Sequence, residues 1–326
     1  MTPPVLPADL RAALDRKLEG LPRQDIAARA ALISRTYRDG GSSITIKSET
    51  DALAYALVRM PATYAAVTAC LSALLEARPD FAPTSLLDVG AGPGTASWAA
   101  AETFSSLQRF MLLDVNGALQ KLALDLARGH PRLAPMTCRR DPDALDEVEA
   151  ADVVIASYLI GEVGEVERRT LAERLWSRTR DTLVVVEPGT PAGYARIIEL
   201  RAQLIASGAH VIAPCPHDLA CPLSSPDWCH FAQRLPRLRA HIQIKGAELP
   251  FEDEKFSYVV MTRKPSPQRL SRVLAPPVVS KVEVTAKLCG AGGVDIVRVP
   301  RRDKAAYATA RRWRWGDAVA SIERET

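Results

Sequence analysis

Three cysteines, Cys215, Cys221 and Cys229, fall inside one proline-rich stretch, CPHDLACPLSSPDWCHFAQRLPR, at C-x5-C-x7-C spacing. A fourth, Cys289, follows further on in KLCGAGG. Thiolates are soft ligands, so a loop that gathers them suits a transition metal or an iron–sulfur cluster, in which each iron takes one anionic sulfur. Pro216 and Pro222 each follow a cysteine and stiffen the loop, and Gly290 lets the chain pass close to a bulky centre. His217 and His230 keep zinc as open as iron–sulfur, although the C-x-x-C pairs common at zinc sites are absent. The plain alternative is a set of unliganded cysteines. A disulfide framework is disfavoured, because thiol buffers inside cells keep such pairs reduced. Cys70 and Cys138 read as small buried apolar residues.

A second set of residues suits a nucleoside. LLDVGAGPGTASWAA places Asp88, Gly90, Gly92 and Gly94 between a strand and a helix start. Glycines there let the backbone turn tightly and approach a ligand that a Cβ would push away. The helix N-terminus beyond them offers free N–H groups. Asp114 ends the next strand, where a carboxylate can accept from both hydroxyls of a ribose. The alternative is a glycine turn that binds nothing. The phrase aspartate-x-Gly-x-Gly-x-Gly resembles motif I of class I S-adenosylmethionine-dependent methyltransferases more than the wider dinucleotide pattern. That resemblance implies that the glycine loop contacts the methionine end of S-adenosylmethionine, that Asp88 anchors its amino group and that Asp114 holds the ribose. It also puts Asp141, after the presumed third strand at TCRRDP, near the adenine. The fourth strand ends in Ser157-Tyr158-Leu159-Ile160-Gly161-Glu162, without the Asn/Asp-Pro-Pro-aromatic motif of base amino-methyltransferases. No catalytic base can be named, although Tyr158 and Glu162 could orient an acceptor.

The elements that must position these residues follow from hydrophobic periodicity. Leu10, Leu14 and Leu18, then Leu53, Leu57 and Met60, repeat at helical spacing, which predicts a helical extension over 1–80, with Pro61 kinking or restarting a helix. SLLDVG, RFMLLDV, ADVVIASYL and TLVVVEP read as buried parallel strands alternating with helices. HVIAP and FSYVVMTRK read as the last two strands of that sheet. The expected fold is therefore α/β, a class I methyltransferase (Rossmann-like), mostly parallel sheet over 81–264, with a Cys-rich insertion at about 214–237. A basic, β-containing C-terminal extension spans 265–326.

Of the 42 Lys+Arg and 38 Asp+Glu in 326 residues, 19 and 10 lie in 231–326. A basic C-terminal third on an otherwise acidic chain fits a surface that meets a polyanion, or simply a solvated face. Trp313 and Trp315 among Arg311, Arg312 and Arg314 either stack on RNA bases or dock into the body. No run approaches the roughly 18 apolar residues of a membrane helix, and MTPPVLPADLRAALDRK shows no secretory h-region.

The cysteine run, with RMPATYAA, EPGTPAGY, FSYVVMTRK and ARRWRWGD, resembles the mitochondrial small-ribosomal-subunit-associated methyltransferase-like family and its bacterial relatives. The likeness spans most of the chain. It implies that Cys215, Cys221, Cys229 and Cys289 hold a [4Fe–4S] cluster, with zinc as the alternative. It also implies a role with the small ribosomal subunit and ribosomal RNA in assembly and translation, and no membrane partner. Lacking an Arg/Ser-rich, acid-poor leader, the chain reads as a bacterial, cytoplasmic member. The rival readings are an RNA-binding assembly factor that transfers no methyl group, and a zinc-stabilised methyltransferase of another substrate.

Overall fold

The computed structural model describes residues 4–38, 41–141, 143–237, 242, 249–265 and 269–320. Helices α1 (Ala8–Leu18), α2 (Arg23–Arg38) and α3 (Glu49–Ala77) form the N-terminal part. Of the predicted α1 stripe, Leu10 and Leu14 are buried and Leu18 half-buried, with Ala13 buried beside them, and on α2 Ile26, Ala30 and Ile33 are buried. A reciprocal capping box starts α3. Ser48 Oγ accepts from the Asp51 amide and Asp51 Oδ2 accepts from the Ser48 amide. Arg29 Nη1 reaches the same carboxylate at 2.6 Å and ties α2 to that cap.

Of the two expectations for Pro61, the restart is not met: α3 runs unbroken across it. Buried residues surround Pro61 on the helix, including Leu57, Met60, Tyr64 and Ala65, and packing against the sheet and α2 outweighs the lost hydrogen bond. By length and apolarity α3 could cross a bilayer, but 72% of its most apolar window is buried inside the protein, which makes it a core helix.

The main sheet holds β1 (Ser85–Val89), β2 (Arg109–Leu113), β3 (Thr137–Arg139), β4 (Ala151–Ser157), β5 (Thr179–Pro188), β6 (His210–Ala213), β7 (Phe231–Pro236) and β8 (Phe251–Thr262). Its order is β3-β2-β1-β4-β5-β8-β6, with β7 paired to the first half of β8. Only β8 departs from the parallel sense: it runs antiparallel to β5, β6 and β7, with Val184 opposite Val260. Helices α4 (Thr95–Thr103), α5 (Gly117–Ala127), α6 (Ala144–Glu147), α7 (Glu165–Ser177) and α8 (Pro191–Ala206) flank it.

Successive strand residues feed opposite faces, as a pleat requires. Leu86, Val153, Ile155 and Val184 pack with α1–α5, whereas Leu87, Val154, Leu183 and Val185 pack with α6–α8. Each such side chain contributes about 1.5–3 kcal/mol of burial. This is the doubly wound, Rossmann-like class I methyltransferase fold expected from the sequence.

A second, antiparallel sheet follows: β9 (Ser271–Val273), β10 (Val278–Val279), β11 (Glu283–Gly290), β12 (Gly293–Pro300) and β13 (Ala318–Val319), with a short helix at Lys304–Ala310. It has its own small apolar clusters around Val273, Leu288 and Val299.

Candidate functional site

At the C-terminal end of β1 the chain turns through Gly90, Gly92 and Gly94, all at positive φ. A Cβ on Gly90 would lie 2.7 Å from Leu159 Cδ1, so close packing under the fourth strand's loop requires glycine there. A Cβ on Gly92 would meet nothing within 4 Å, so this glycine faces open space. Asp88 is fully buried beneath the loop. Its Oδ2 accepts from the amide and hydroxyl of Ser97, at 3.0 and 2.8 Å. Its Oδ1 is buried with no partner among the described residues. Burial pushes the Asp88 carboxyl up to about 7, Ser97 opposing the shift. A buried carboxylate with a free lone pair is the arrangement a cationic or N–H donor ligand would satisfy.

Asp114 stands at the tip of β2, as its position in the sequence predicted. Its Oδ2 accepts from the Gly92 amide at 2.6 Å and its Oδ1 from the Asn116 amide at 2.7 Å. Burial raises its pKa and both amides oppose that. Asp141 lies in the turn after β3, exposed, with Oδ1 accepting from the Asp143 amide.

Asn116 and Glu162, whose roles the sequence did not reveal, fasten the N-terminal part over the strand ends. Asn116 caps α5 with its Oδ1 and donates from Nδ2 to the carbonyls of Ser43 and Ile46, both at 2.9 Å. Glu162 Oε2 accepts from the Ser43 amide at 3.2 Å, and burial raises its pKa. Tyr37 and Tyr55 close this side, with ring centroids 5.7 Å apart.

Across the loop, Tyr158 is the one non-glycine residue among those described with positive φ, at 57°. An aromatic residue there is strained, and such strain gathers at functional sites. Its hydroxyl donates to Glu254 Oε1 at 2.7 Å, and Arg59 lies over its ring while contacting the same oxygen at 3.4 Å. Nothing in the sequence signalled Glu254, a carboxylate in the polar first half of β8.

The thiol residues converge. Cys215 follows β6, Cys221 and Cys229 lie in the loop before β7, and Cys289 comes from the end of β11 in the other sheet. All four line one cavity with Tyr194, Arg201 and Arg272. Cys289 therefore sits on a strand. The loop after β5, EPGTPAGY, supplies the floor. Thr190 caps α8 by accepting from the Gly193 amide, Pro191 fills the first turn, and Tyr194 places its hydroxyl 3.1 Å from Cys221 Sγ. Burial pushes the Cys289 thiol up to about 12, with Cys215 and Cys221 adding to the shift.

Of the two histidines beside the cysteines, His217 is buried with Nε2 4.0 Å from Cys289 Sγ. His230 stacks on Trp228 and meets Trp315 edge-on. Among the described residues no three His, Cys, Asp or Glu side chains stand close enough to hold one metal ion. The four cysteines line one cavity, and four thiols are the donor type that a polynuclear cluster takes, one sulfur to each iron.

Trp313 and Trp315 dock. The first packs into the second sheet's clusters and the second against the main core, while Arg311, Arg312 and Arg314 are exposed. The stacking-platform alternative for these tryptophans is therefore set aside.

Comparison with known proteins places the chain among relatives. The family model described as "Mitochondrial small ribosomal subunit Rsm22" matches residues 49–320. The human "Ribosome assembly protein METTL17, mitochondrial" is 29% identical over 290 residues, covering 82% of this chain and 62% of that protein. The "Rsm22-cox11 tandem protein 2, mitochondrial" of Schizosaccharomyces pombe is 26% identical over 352 residues, covering 90% of this chain and 46% of that protein. The chain thus spans about half to three-fifths of the length of these relatives.

Solved structures with a related fold include magnesium protoporphyrin IX methyltransferase from Synechocystis with bound SAM, at TM-score 0.41 and 11% identity over 79% of this chain and 98% of that one. Another is precorrin-6y C5,15-methyltransferase from Geobacter metallireducens, at TM-score 0.39 and 18% identity over 60% and 88%. The cytoplasmic expectation, which rested on the composition of the first residues alone, is corrected: the family and these relatives are named mitochondrial. With its match running from the capping box of α3 to the end of the second sheet, the chain belongs to the Rsm22 family of mitochondrial small ribosomal subunit proteins.

Proposed function

We propose that this chain is a methyltransferase-like assembly protein of the small ribosomal subunit that binds S-adenosylmethionine, carries a [4Fe–4S] cluster and engages ribosomal RNA. In this reading Asp88, with its unpartnered Oδ1, holds the ammonium end of the cofactor, and Gly90, Gly92 and Gly94 admit its methionine portion. Asp114 exchanges its amide partners for ribose hydroxyls, and Asp141 lies toward the adenine. When bound, the cofactor supplies a methyl group on a sulfonium, open to direct displacement. The protein's part is alignment and exclusion of water, which the Asn116 and Glu162 fastenings provide from one side and the Tyr158–Glu254–Arg59 contacts from the other. Cys215, Cys221, Cys229 and Cys289 hold the cluster, which joins the 214–237 insertion to the 265–326 extension and leaves 1–80 and 81–264 as the other two parts.

The observation that carries the reading is the convergence of four thiols, three from the segment between β6 and β7 and one from β11, on one cavity. The printed names of the relatives support the ribosomal role. The exposed Arg311, Arg312 and Arg314 support contact with RNA. A second reading, an assembly factor that binds the cofactor without transferring methyl groups, is favoured by two observations. The fourth strand ends in Ser157–Glu162 without an acceptor motif, and the Tyr158 hydroxyl is already committed to Glu254.

Anaerobic purification, metal and sulfide analysis, calorimetric titration with S-adenosylmethionine and labelled-methyl transfer to small-subunit RNA from a deletion strain test the proposal. Label on RNA supports the enzyme, and binding without transfer supports the assembly factor. A colourless, iron-free, zinc-loaded protein overturns the cluster.

A further inference from the structure

Two arginines are buried against the thiol cavity with no carboxylate paired to them among the described residues. Arg201 on α8 is 2% exposed and Arg272 on β9 is 5% exposed, and both line the cavity. Arg201 Nη2 donates to the His217 carbonyl at 2.7 Å, and its Nε is buried with no partner among the described residues. Arg272 donates from Nε to the Pro214 carbonyl at 3.1 Å and from Nη1 to the Gly316 carbonyl at 2.7 Å. The acids in this region belong to other cations. Glu187 pairs with Arg196 at 2.8 Å, Asp218 with Arg269 at 2.6 Å, and Asp227 with Lys287. A guanidinium taken out of water without a counter-charge is costly, and two sharing a cavity wall also repel one another. Carbonyl oxygens answer some of their hydrogen bonds but not their charge.

The cavity itself must therefore hold the negative charge. We propose that Arg201 and Arg272, with the Tyr194 hydroxyl beside Cys221, are the charge-compensating residues of the thiol centre and tune it for a dianionic metal–tetrathiolate. The inference rests on the four-thiol reading above. Four thiolates around a doubly positive [4Fe–4S] core leave two negative charges, one for each guanidinium. Tyr194 adds a hydrogen bond to one sulfur, a recognised lever on cluster potential. The guanidiniums also fix Cys215, since Pro214 and His217 flank it in sequence. The loop is thus held in place by the groups that neutralise the centre.

The test uses the full chain, purified anaerobically, as wild type and as Arg201→Gln, Arg201→Lys, Arg272→Gln and Tyr194→Phe. Iron and acid-labile sulfide are counted, and the reduction midpoint is measured by dithionite titration followed by electron paramagnetic resonance. Reduction adds a negative charge, so removing a cation makes it harder. The glutamine variants should lower the reduced-to-oxidised ratio at fixed potential at least tenfold, which is about 59 mV for a one-electron couple. Arg201→Lys should stay near wild type, and Tyr194→Phe should shift the same way by less.

Unchanged midpoints in every variant overturn the proposal. So does an equal displacement of Arg201→Lys and Arg201→Gln, which would assign Arg201 to loop anchoring alone. If the glutamine variants do not fold, Tyr194→Phe decides, and a wild-type midpoint there overturns the proposal. If the wild type carries zinc and no iron, the iron–sulfur reading has failed, and chelator competition reads the charge claim. Tenfold weaker zinc binding in the glutamine variants then supports it, and equal affinity overturns it.

Discussion

Asp88→Asn separates the electrostatics of the glycine-loop pocket from its shape. The substitution keeps size and planarity. The Asn oxygen can take the place of Oδ2 opposite the Ser97 amide and hydroxyl, and its NH2 falls where Oδ1 now has no partner. Burial lifts the Asp88 pKa from 3.8 to about 7, so the native state keeps its proton longer than the unfolded chain does. The stability that goes with that proton is fully present below the unfolded value of 3.8 and drains away as pH rises toward about 7. At about 1.4 kcal/mol per unit, the full loss at pH 8 is about 4 kcal/mol.

Asparagine has no proton to lose. Urea unfolding of the cofactor-free protein between pH 4 and pH 8.5 should therefore show Asp88→Asn gaining on wild type through the window, with a plateau above pH 7. Other carboxylates raised by burial, such as Glu187, contribute to both proteins and cancel in the difference. The same variant should bind S-adenosylmethionine roughly tenfold or more weakly, because the ammonium loses a charged partner worth about 1.5–3 kcal/mol. Parallel stability profiles for the two proteins would refute the reasoning, since they would mean that Asp88 carries no ionisation penalty in the fold.

Serine at Cys215, Cys221, Cys229 or Cys289 should each strip most of the iron from anaerobically purified protein, while Cys70→Ser and Cys138→Ser leave metal content at the wild-type level by elemental analysis. Gly90→Ala and Gly92→Ala should diverge. The first meets Leu159 as well as its own positive φ and should cost about 2–4 kcal/mol in urea unfolding. The second meets no atom and should cost about 1–2 kcal/mol while weakening cofactor binding by calorimetry. Tyr158→Phe removes the donor to Glu254 and should cost about 1–2 kcal/mol, and a wild-type unfolding midpoint would count against that contact.

The strands of the main sheet were legible because their residues are buried on both faces and read as unbroken apolar runs, as in VVIA and LVVV. β7 was not. FAQRLP mixes polar, charged and proline residues, since it lies beside the exposed half of β8, where Arg234 meets Asp253. β9 and β13 are too short to carry a pattern and exist through their pairing with each other and with β11. At the candidate sites the glycine loop and three of the cysteines declared themselves by spacing, whereas Cys289, far along the chain, joined them by residue type and its neighbour Gly290 alone. Arg201 and Arg272 gave no sign, because an arginine in an amphipathic helix or a short strand reads as a surface residue. The left-handed backbone of Tyr158 was equally silent, being imposed by the turn between β4 and α7 and not by any local preference of tyrosine for that conformation.

The wall of the thiol cavity that comes from β11 has a consequence for biosynthesis. Three of its cysteines have been translated by residue 229, but the enclosure lacks a side until Cys289 emerges, after β8 has completed the main sheet. Domains fold as units in the order they are made. The Rossmann-like body is therefore complete in sequence before the cavity has its last wall, and whatever sits there is enclosed only once the second sheet has joined.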